Sequence, residues 1–227
     1  VILVTFWVAL GLAFAAGSVD GIGYLLLAHV FTSHMSGNTV EFAMHIGSGN
    51  WHEAWRHFEP IVAFVLGVGT GIALTDLVVA WRASSAFALL AACEVLLLIA
   101  FAAIAHPVRE WMVAFPAGAM GMQNALLRRV GEHRVRTTYI TGMLTNTAQG
   151  FVEFVICAFK RDRETRKKLS DVVLYGGIWC CFAAGGISGV FLELRYGTFS
   201  LLLPVCALAA MALSDALSPF VRISEQK

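Results

Sequence analysis

The chain has 227 residues, 58% of them hydrophobic and only 14% charged, with a formal net charge of +1. Soluble domains carry roughly 25% charged residues, so this composition excludes a water-soluble globule. Apolar runs of 19 to 23 residues are long enough for helices across a hydrocarbon core of about 30 Å, and they lack the alternation of barrel strands.

The predicted class is therefore all-α, a polytopic integral membrane bundle forming a single membrane domain over 1–227. The five cysteines (Cys93, Cys157, Cys180, Cys181, Cys206) all fall inside apolar runs, where they read as small packing residues and not as a disulfide framework. The chain opens without a basic n-region or a small-x-small cleavage site, so no cleavable signal is expected. It also opens without Met, which leaves room for residues ahead of Val1.

Helix A is predicted over 2–30. Unbroken it would be about 44 Å long, so a break or strong tilt is expected where Gly17, Gly21 and Gly23 surround Asp20. Segment B, 36–47, is short for a crossing, and the stretch after it, with Trp51 and Trp55, reads as an interfacial connector. Helix C covers 61–80, opened by Pro60, with Asp76, Trp81 and Arg82 at its end. Helix D covers 86–105 and closes at His106-Pro107. The same order then recurs: A′ over 111–127, B′ over 139–159, a basic loop over 160–171, C′ over 172–194 and D′ over 199–217.

The recurrence has a register. Gly17 to Gly121 and Asp20 to Asn124 are each 104 positions apart, and Ser36-Gly37 to Thr141-Gly142 are 105 apart. Gly67 and Gly71 match Gly185 and Gly189 at 118, the growth coming from the 160–171 loop. This predicts two internal repeats, 1–106 and 107–227. The glycine pairs in C and C′ read as helix contact surfaces.

Basic residues set the topology. If all eight segments cross, one side carries ten Lys and Arg and the other six. If B and B′ enter and leave on one side, the division becomes 13 against three, leaving only Arg56, Arg109 and Arg195 opposite the cluster that includes Arg128, Arg129, Arg134, Arg136, Arg222 and Lys227. The second division predicts six full spans plus two short, discontinuous or re-entrant segments. Three crossings per half make the repeats inverted, an architecture common in secondary transporters. It also places the basic 160–171 loop in the cytoplasm. A short, mixed-charge loop between spans is not a nucleic-acid surface; it reads as a topology anchor with affinity for anionic lipid.

Several motifs carry a family likeness: Asp20-Gly21 with Ser36-Gly37-Asn38-Thr39 in the first half, and Gly121-Met122-Gln123-Asn124-Ala125 with Val135, Thr137, Thr138, Thr141 and Gly142 in the second. In these the chain resembles the YoaK family of bacterial membrane proteins over nearly its whole length, with Gly21 and Ser36 as mild departures. The resemblance implies a multi-pass protein of the bacterial inner membrane and supplies no substrate.

The residues themselves point to a midplane site. A carboxylate in a span costs roughly 2.5–3.5 kcal/mol, so Asp20 calls for a cavity or a partner. It reads as a relay or solute contact, and equally as a cap on a broken helix. Ser36-Gly37-Asn38-Thr39 and Thr141-Gly142 look like helix starts whose hydroxyl or amide side chains cap free N–H groups and present positive helix ends to a solute; helix contact is the competing reading. The expected solute-binding set is Asp20, Ser36, Gly37, Asn38, Thr39, Gln123, Asn124, Thr141, Gly142 and Asn146, with Asp20 and Glu41 as candidates for proton coupling. Glu153 and Asp76 read as rim carboxylates. The seven histidines show no H-E-x-x-H spacing, so neither metal nor cofactor is expected, and no nucleophile–base pair suggests an enzyme.

The function read from sequence is a small secondary transporter or permease for a small polar or anionic solute. A channel or partner-binding membrane subunit, and an intramembrane enzyme, are the alternatives. The expected partners are membrane lipids and the solute, with self-association into a homo-oligomer left open.

Overall fold

The computed structural model describes residues 2–27, 29–80, 87–104, 110–127, 129–130 and 133–217. Among them stand eight α-helices: α1 (Ile2–Leu26), α2 (Met35–Gly47), α3 (Trp51–Ala80), α4 (Phe87–Ile104), α5 (Ala114–Leu126), α6 (Ile140–Lys160), α7 (Thr165–Tyr196) and α8 (Leu202–Leu217). Short 3-10 turns, Glu110–Val113 and Gly197–Leu201, lead into α5 and α8. Between α5 and α6, β1 (Arg129–Val130) and β2 (His133–Arg134) form a two-residue antiparallel ladder pairing Val130 with His133. Trp81, Arg82, His106, Pro107, Arg109, Arg128, Arg222 and Lys227, used above for helix ends and topology, lie outside the described residues.

By length and composition, Thr5–Leu26, Trp51–Leu77 and the run Thr165–Leu217 can cross a membrane, and Phe87–Ala103 is a shorter apolar helix. Large apolar side chains stand outward on these helices, among them Val65, Leu66, Leu96, Ile187 and Phe191. Such a surface suits lipid, where helices already satisfy their own backbone groups.

Four expectations about the elements are corrected. Helix A does not break at Asp20: α1 runs unbroken to Leu26, because Gly17 and Gly21 are used for contact with α7. Helix C does not begin at Pro60. The stretch read as a connector is the start of α3, with Pro60 inside it, and the start signal is Asn50, whose Oδ1 accepts the Glu53 N–H at 3.3 Å. An interior proline forfeits one helical hydrogen bond, and here the helix continues past it. The basic loop shrinks to a turn over 161–164: α6 continues to Lys160, Arg161 takes a left-handed C-cap (φ 53°), and α7 begins at Thr165. Segment B′ is not discontinuous, since α6 is one uninterrupted helix of 21 residues; α2, with 13, is the short one.

Helix neighbours follow a fixed pattern. The first helix of each half lies on the third of the other, α1 on α7 and α5 on α3. Within each half the short second helix lies on its successor, α2 on α3 and α6 on α7. Finally, α4 packs on α5 and on α8, which packs on α1. The chain thus divides into two blocks, α1–α6–α7–α8 and α2–α3–α4–α5, which meet mainly along the α4–α8 seam. Leu12, Val19, Leu90, Met120, Ile178 and Leu208 form part of the buried cluster that joins them.

The contacts of α1 with α7 and of α3 with α5 are backbone to backbone. A methyl group placed on Gly17 would run into the carbonyl of Phe182, and one on Gly185 into that of Phe14. Likewise Gly67 faces the carbonyl of Gly118, and Gly121 that of Phe64. One turn further, a Cβ on Gly189 would lie 2.7 Å from the Ser18 carbonyl, and one on Gly71 would lie 2.7 Å from the Ala125 methyl. Lipid tails are as apolar as leucine, so close backbone approach of this kind is what holds membrane helices together.

Overpacking a tight contact costs about 1–3 kcal/mol or more. Gly17→Leu and Gly121→Leu should therefore each lower the thermal unfolding midpoint of detergent-solubilised protein. Gly69→Leu should leave it unchanged, since a Cβ there meets nothing within 4 Å.

Candidate functional site

The chain turns twice from a buried helix into a polar one, and most of the residues singled out from sequence sit at those two corners. At the first, Asp20 lies on α1 six residues before its end. Its Oδ1 accepts the backbone N–H of Thr32 at 2.8 Å, that of Ser33 at 2.9 Å, and the Thr32 hydroxyl at 3.0 Å. Asn38, fully buried on α2, grips the same loop from the other side: its Oδ1 accepts the Phe31 N–H at 3.1 Å and its Nδ2 donates to the Phe31 carbonyl at 2.8 Å. Two side chains therefore satisfy the loop backbone where no ladder is available. The carboxylate also stands beside the N-terminal end of α2, where negative charge is stabilised.

At the second corner the chemistry changes from acceptor to donor. Asn124 Nδ2 donates to Thr138 Oγ1 at 2.6 Å and to the Met120 carbonyl at 3.1 Å. Beside it, Gln123 Nε2 donates to Thr137 Oγ1 at 2.9 Å and reaches across to the Leu12 carbonyl of α1 at 2.8 Å. Leu12 is eight residues from Asp20, about 12 Å along the helix, so the two corners stand at different heights on α1.

The helix starts differ from the expected caps. The N-cap residues are His34 and Tyr139, and neither α2 nor α6 has a side-chain cap hydrogen bond. The Ser36 and Thr141 hydroxyls come too late in their helices to cap. Thr39 Oγ1 donates back to the Met35 carbonyl at 2.7 Å, and the Thr141 carbonyl accepts from Thr145 Oγ1 at 3.0 Å. The glycines serve the N-cap rings. A Cβ on Gly37 would strike the His34 imidazole, and one on Gly142 the Tyr139 ring. Ser36, Thr39 and Thr141 are exposed, and Asn146 is half-buried.

Other charged groups have structural duties. Glu153 joins α6 to α7 by accepting from Lys168 Nζ at 2.6 Å and from Gln149 Nε2 at 2.8 Å. His133 lies 3.0 Å from Asp171 and 3.1 Å from the Tyr175 hydroxyl, tying β2 to α7. Asp76 is exposed.

Two groups escaped the sequence reading. Glu94, on α4, is completely buried, and neither carboxylate oxygen has a hydrogen-bond partner among the described residues. The available signal was its place as the one acidic residue in the apolar run of helix D. The second is a cluster of Glu41 and His45 from α2 with His57 from α3. Glu41 and His45 stand one turn apart, a spacing visible in sequence, but His57 joins them only through the α2–α3 hairpin.

The family described as "Protein of unknown function (DUF1275)" matches residues 8–214. UPF0700 transmembrane protein YoaK of Bacillus subtilis (strain 168) is 26% identical over 199 residues, which cover 86% of this chain and 86% of that protein. No solved structure matches the chain.

Because Asp20 satisfies two backbone N–H groups and a buried hydroxyl, Asp20→Ala should destabilise the fold by about 2–4 kcal/mol, and Asn124→Ala by about 1 kcal/mol. Denaturant unfolding in micelles, followed by circular dichroism, measures both.

Proposed function

The chain belongs to the DUF1275 family, whose Bacillus member is named a transmembrane protein, and from that premise we propose that this membrane protein is a secondary transporter for a small polar or anionic solute. The observation that carries the reading is the correspondence of its two halves. Asp20 holds Thr32 and Ser33, while Asn124 holds Thr138 and its neighbour Gln123 holds Thr137; Asp20 and Asn124 are 104 positions apart, and Thr32-Ser33 and Thr137-Thr138 are 105 apart. The N-cap angles agree to within 2°: φ −87° and ψ 68° at His34, φ −88° and ψ 66° at Tyr139. The contact of Gly17 with Phe182 becomes that of Gly121 with Phe64 under the offsets 104 and 118.

Such correspondence supports two repeats that exchange their first helices. With three crossings in each, the repeats would be inverted, and the 13-to-three division of basic residues favours that arrangement. Rocking of the two blocks about the α4–α8 seam would then open a path to each side in turn. Asp20, Asn38, Gln123 and Asn124 would keep the corners in shape, with Gly37 and Gly142 beneath the N-cap rings. The accessible hydroxyls and amide of Ser36, Thr39, Thr141 and Asn146 would meet the solute.

Proton coupling falls to Glu94. An intramembrane carboxylate without a partner is a functional group by default, and Glu94 stands on the helix that packs against both α5 and α8. Asp20 is committed to its loop, and Glu41 to the histidines. In proteoliposomes containing a pH-sensitive dye, wild-type protein should couple proton entry to uptake of at least one member of a panel of small carboxylates and amino acids. Glu94→Gln should reduce that flux at least about tenfold. Unitary currents across a planar bilayer, or a flux untouched by the substitution, would overturn this mechanism.

The inverted arrangement has its own check. In a cysteine-free background, Ser48→Cys and Arg163→Cys should react with a membrane-impermeant maleimide from opposite faces of the membrane, position 163 from the cytoplasmic face. Reaction of both from one face excludes inversion.

A further inference from the structure

Glu41, His45 and His57 stand outside the corners and the α4–α8 seam, and their arrangement has a chemistry of its own. The turn over 48–50 is pinned by three backbone bonds: Ser48 N–H to Met44 at 3.0 Å, Gly49 N–H to Ile46 at 3.1 Å, and Asn50 N–H to His45 at 2.9 Å. Gly49, at φ 75°, makes the reversal sterically cheap. The hairpin lays the Glu41–His45 face of α2 against the second turn of α3, where His57 sits. One carboxylate oxygen and one ring nitrogen from each histidine lie within 4.8 Å of one another. Glu41 and His45 approach to 3.9 Å, and the two imidazoles stack at 5.5 Å with 16° between their planes.

A second observation points to a ligand. His57 is 94% buried (6% exposed), and its Nδ1 is buried without a hydrogen-bond partner among the described residues. Leaving such a group unsatisfied costs about 1–3 kcal/mol. A metal ion accepting a nitrogen lone pair removes that cost, and so would a proton donor, but the surroundings favour the metal. The cluster holds a carboxylate, which offers lone pairs when ionised, and two imidazoles, each of which offers one when neutral. The nearby cation, Arg56, pairs with Glu53, its Nη1 lying 2.9 and 2.8 Å from the two carboxylate oxygens.

We propose that Glu41, His45 and His57 form a binding site for a divalent transition-metal ion of the zinc class. Two imidazoles and a carboxylate are a ligand set that such ions take, with the fourth position left to water or an anion. Ligands at about 2.1 Å in a tetrahedron stand about 3.4 Å apart, so closing the shell requires only small side-chain rotations from the present separations. Glu41 and His45 are partly exposed, which gives the ion an entry path. The ring pairs Phe42–Phe58 at 5.2 Å and Trp55–Phe58 at 5.7 Å brace the hairpin beside it. The metal would clamp α2 to α3 independently of any solute.

The test is Co²⁺ titration of the purified full chain in detergent after chelator stripping, followed by visible ligand-field absorption, with Zn²⁺ displacement giving affinity and stoichiometry. One ion per chain is expected. His45→Ala and His57→Ala should each weaken binding at least about tenfold, whereas His29→Ala, exposed on the first corner's loop and outside the cluster, should not. If His57→Ala fails to fold, Glu41→Gln keeps the question open to decision, because that side chain is partly exposed and the replacement has the same shape; it should weaken binding as well. Saturation reached only above about 100 µM, or binding unchanged in His45→Ala and Glu41→Gln, overturns the site whether or not transport is found.

Discussion

Everything in this fold depends on how closely four helices can approach. Where Gly17 and Gly185 bring α1 against α7, and Gly67 and Gly121 bring α3 against α5, the backbone of one helix occupies the place a side chain would need on the other. In water such pairs would be reinforced by burial of apolar area. In lipid that drive is absent, and dispersion between closely approaching backbones replaces it. The contacts are also the ones that join the two halves, because each pairs a first helix with the third helix of the opposite half. Without them the packing of α4 on α5 and α8, and of α8 on α1, would have to carry the association.

Within that frame the polar corners have a role nearer to architecture than to exposure. Asp20 and Asn124 occupy equivalent places, yet one accepts from backbone N–H groups and the other donates to a hydroxyl. Asp20 satisfies backbone N–H groups of the chain leaving α1, whereas Asn124 ties down the chain leaving α5 through the Thr138 hydroxyl. Placing both in a common solute pocket would take them from the loops they hold. That is why the more accessible Ser36, Thr39, Thr141 and Asn146 carry the proposed contacts.

Much of this was legible in sequence, for identifiable reasons. Glycine spacing foretold the helix contacts, because only a missing side chain permits them, and Asp20 and Asn124, singled out as polar residues in apolar runs, each bond the loop that follows their helix. The helix limits were less legible. Pro60 drew the start of helix C to itself, although Asn50 caps it ten residues earlier. The basic stretch looked like a loop because charge density masks helical continuity on either side of Arg161. Gly17, Gly21 and Gly23 suggested a break in helix A when two of them were serving α7. Glu94 was visible but unweighed, and His57 could not be assigned to Glu41 and His45 without knowing how the 48–50 turn folds back. Nonlocal geometry was the missing term in each of the last two.

One difference between the halves has a consequence for insertion. Helix α6 has 21 residues where α2 has 13, and eight residues add about 12 Å. The extra length ends in Lys160, Arg161 and Arg163, and the Lys168–Glu153 bond staples its base to α7. Helix α6 thus outreaches α2 by about two turns and ends in cationic residues, whereas the turn that follows α2, over 48–50, carries no charge. Under the proposed topology, reversing the protein would carry that cationic end through hydrocarbon, so an inequality of two helical turns would give the bundle a handed footing in the bilayer.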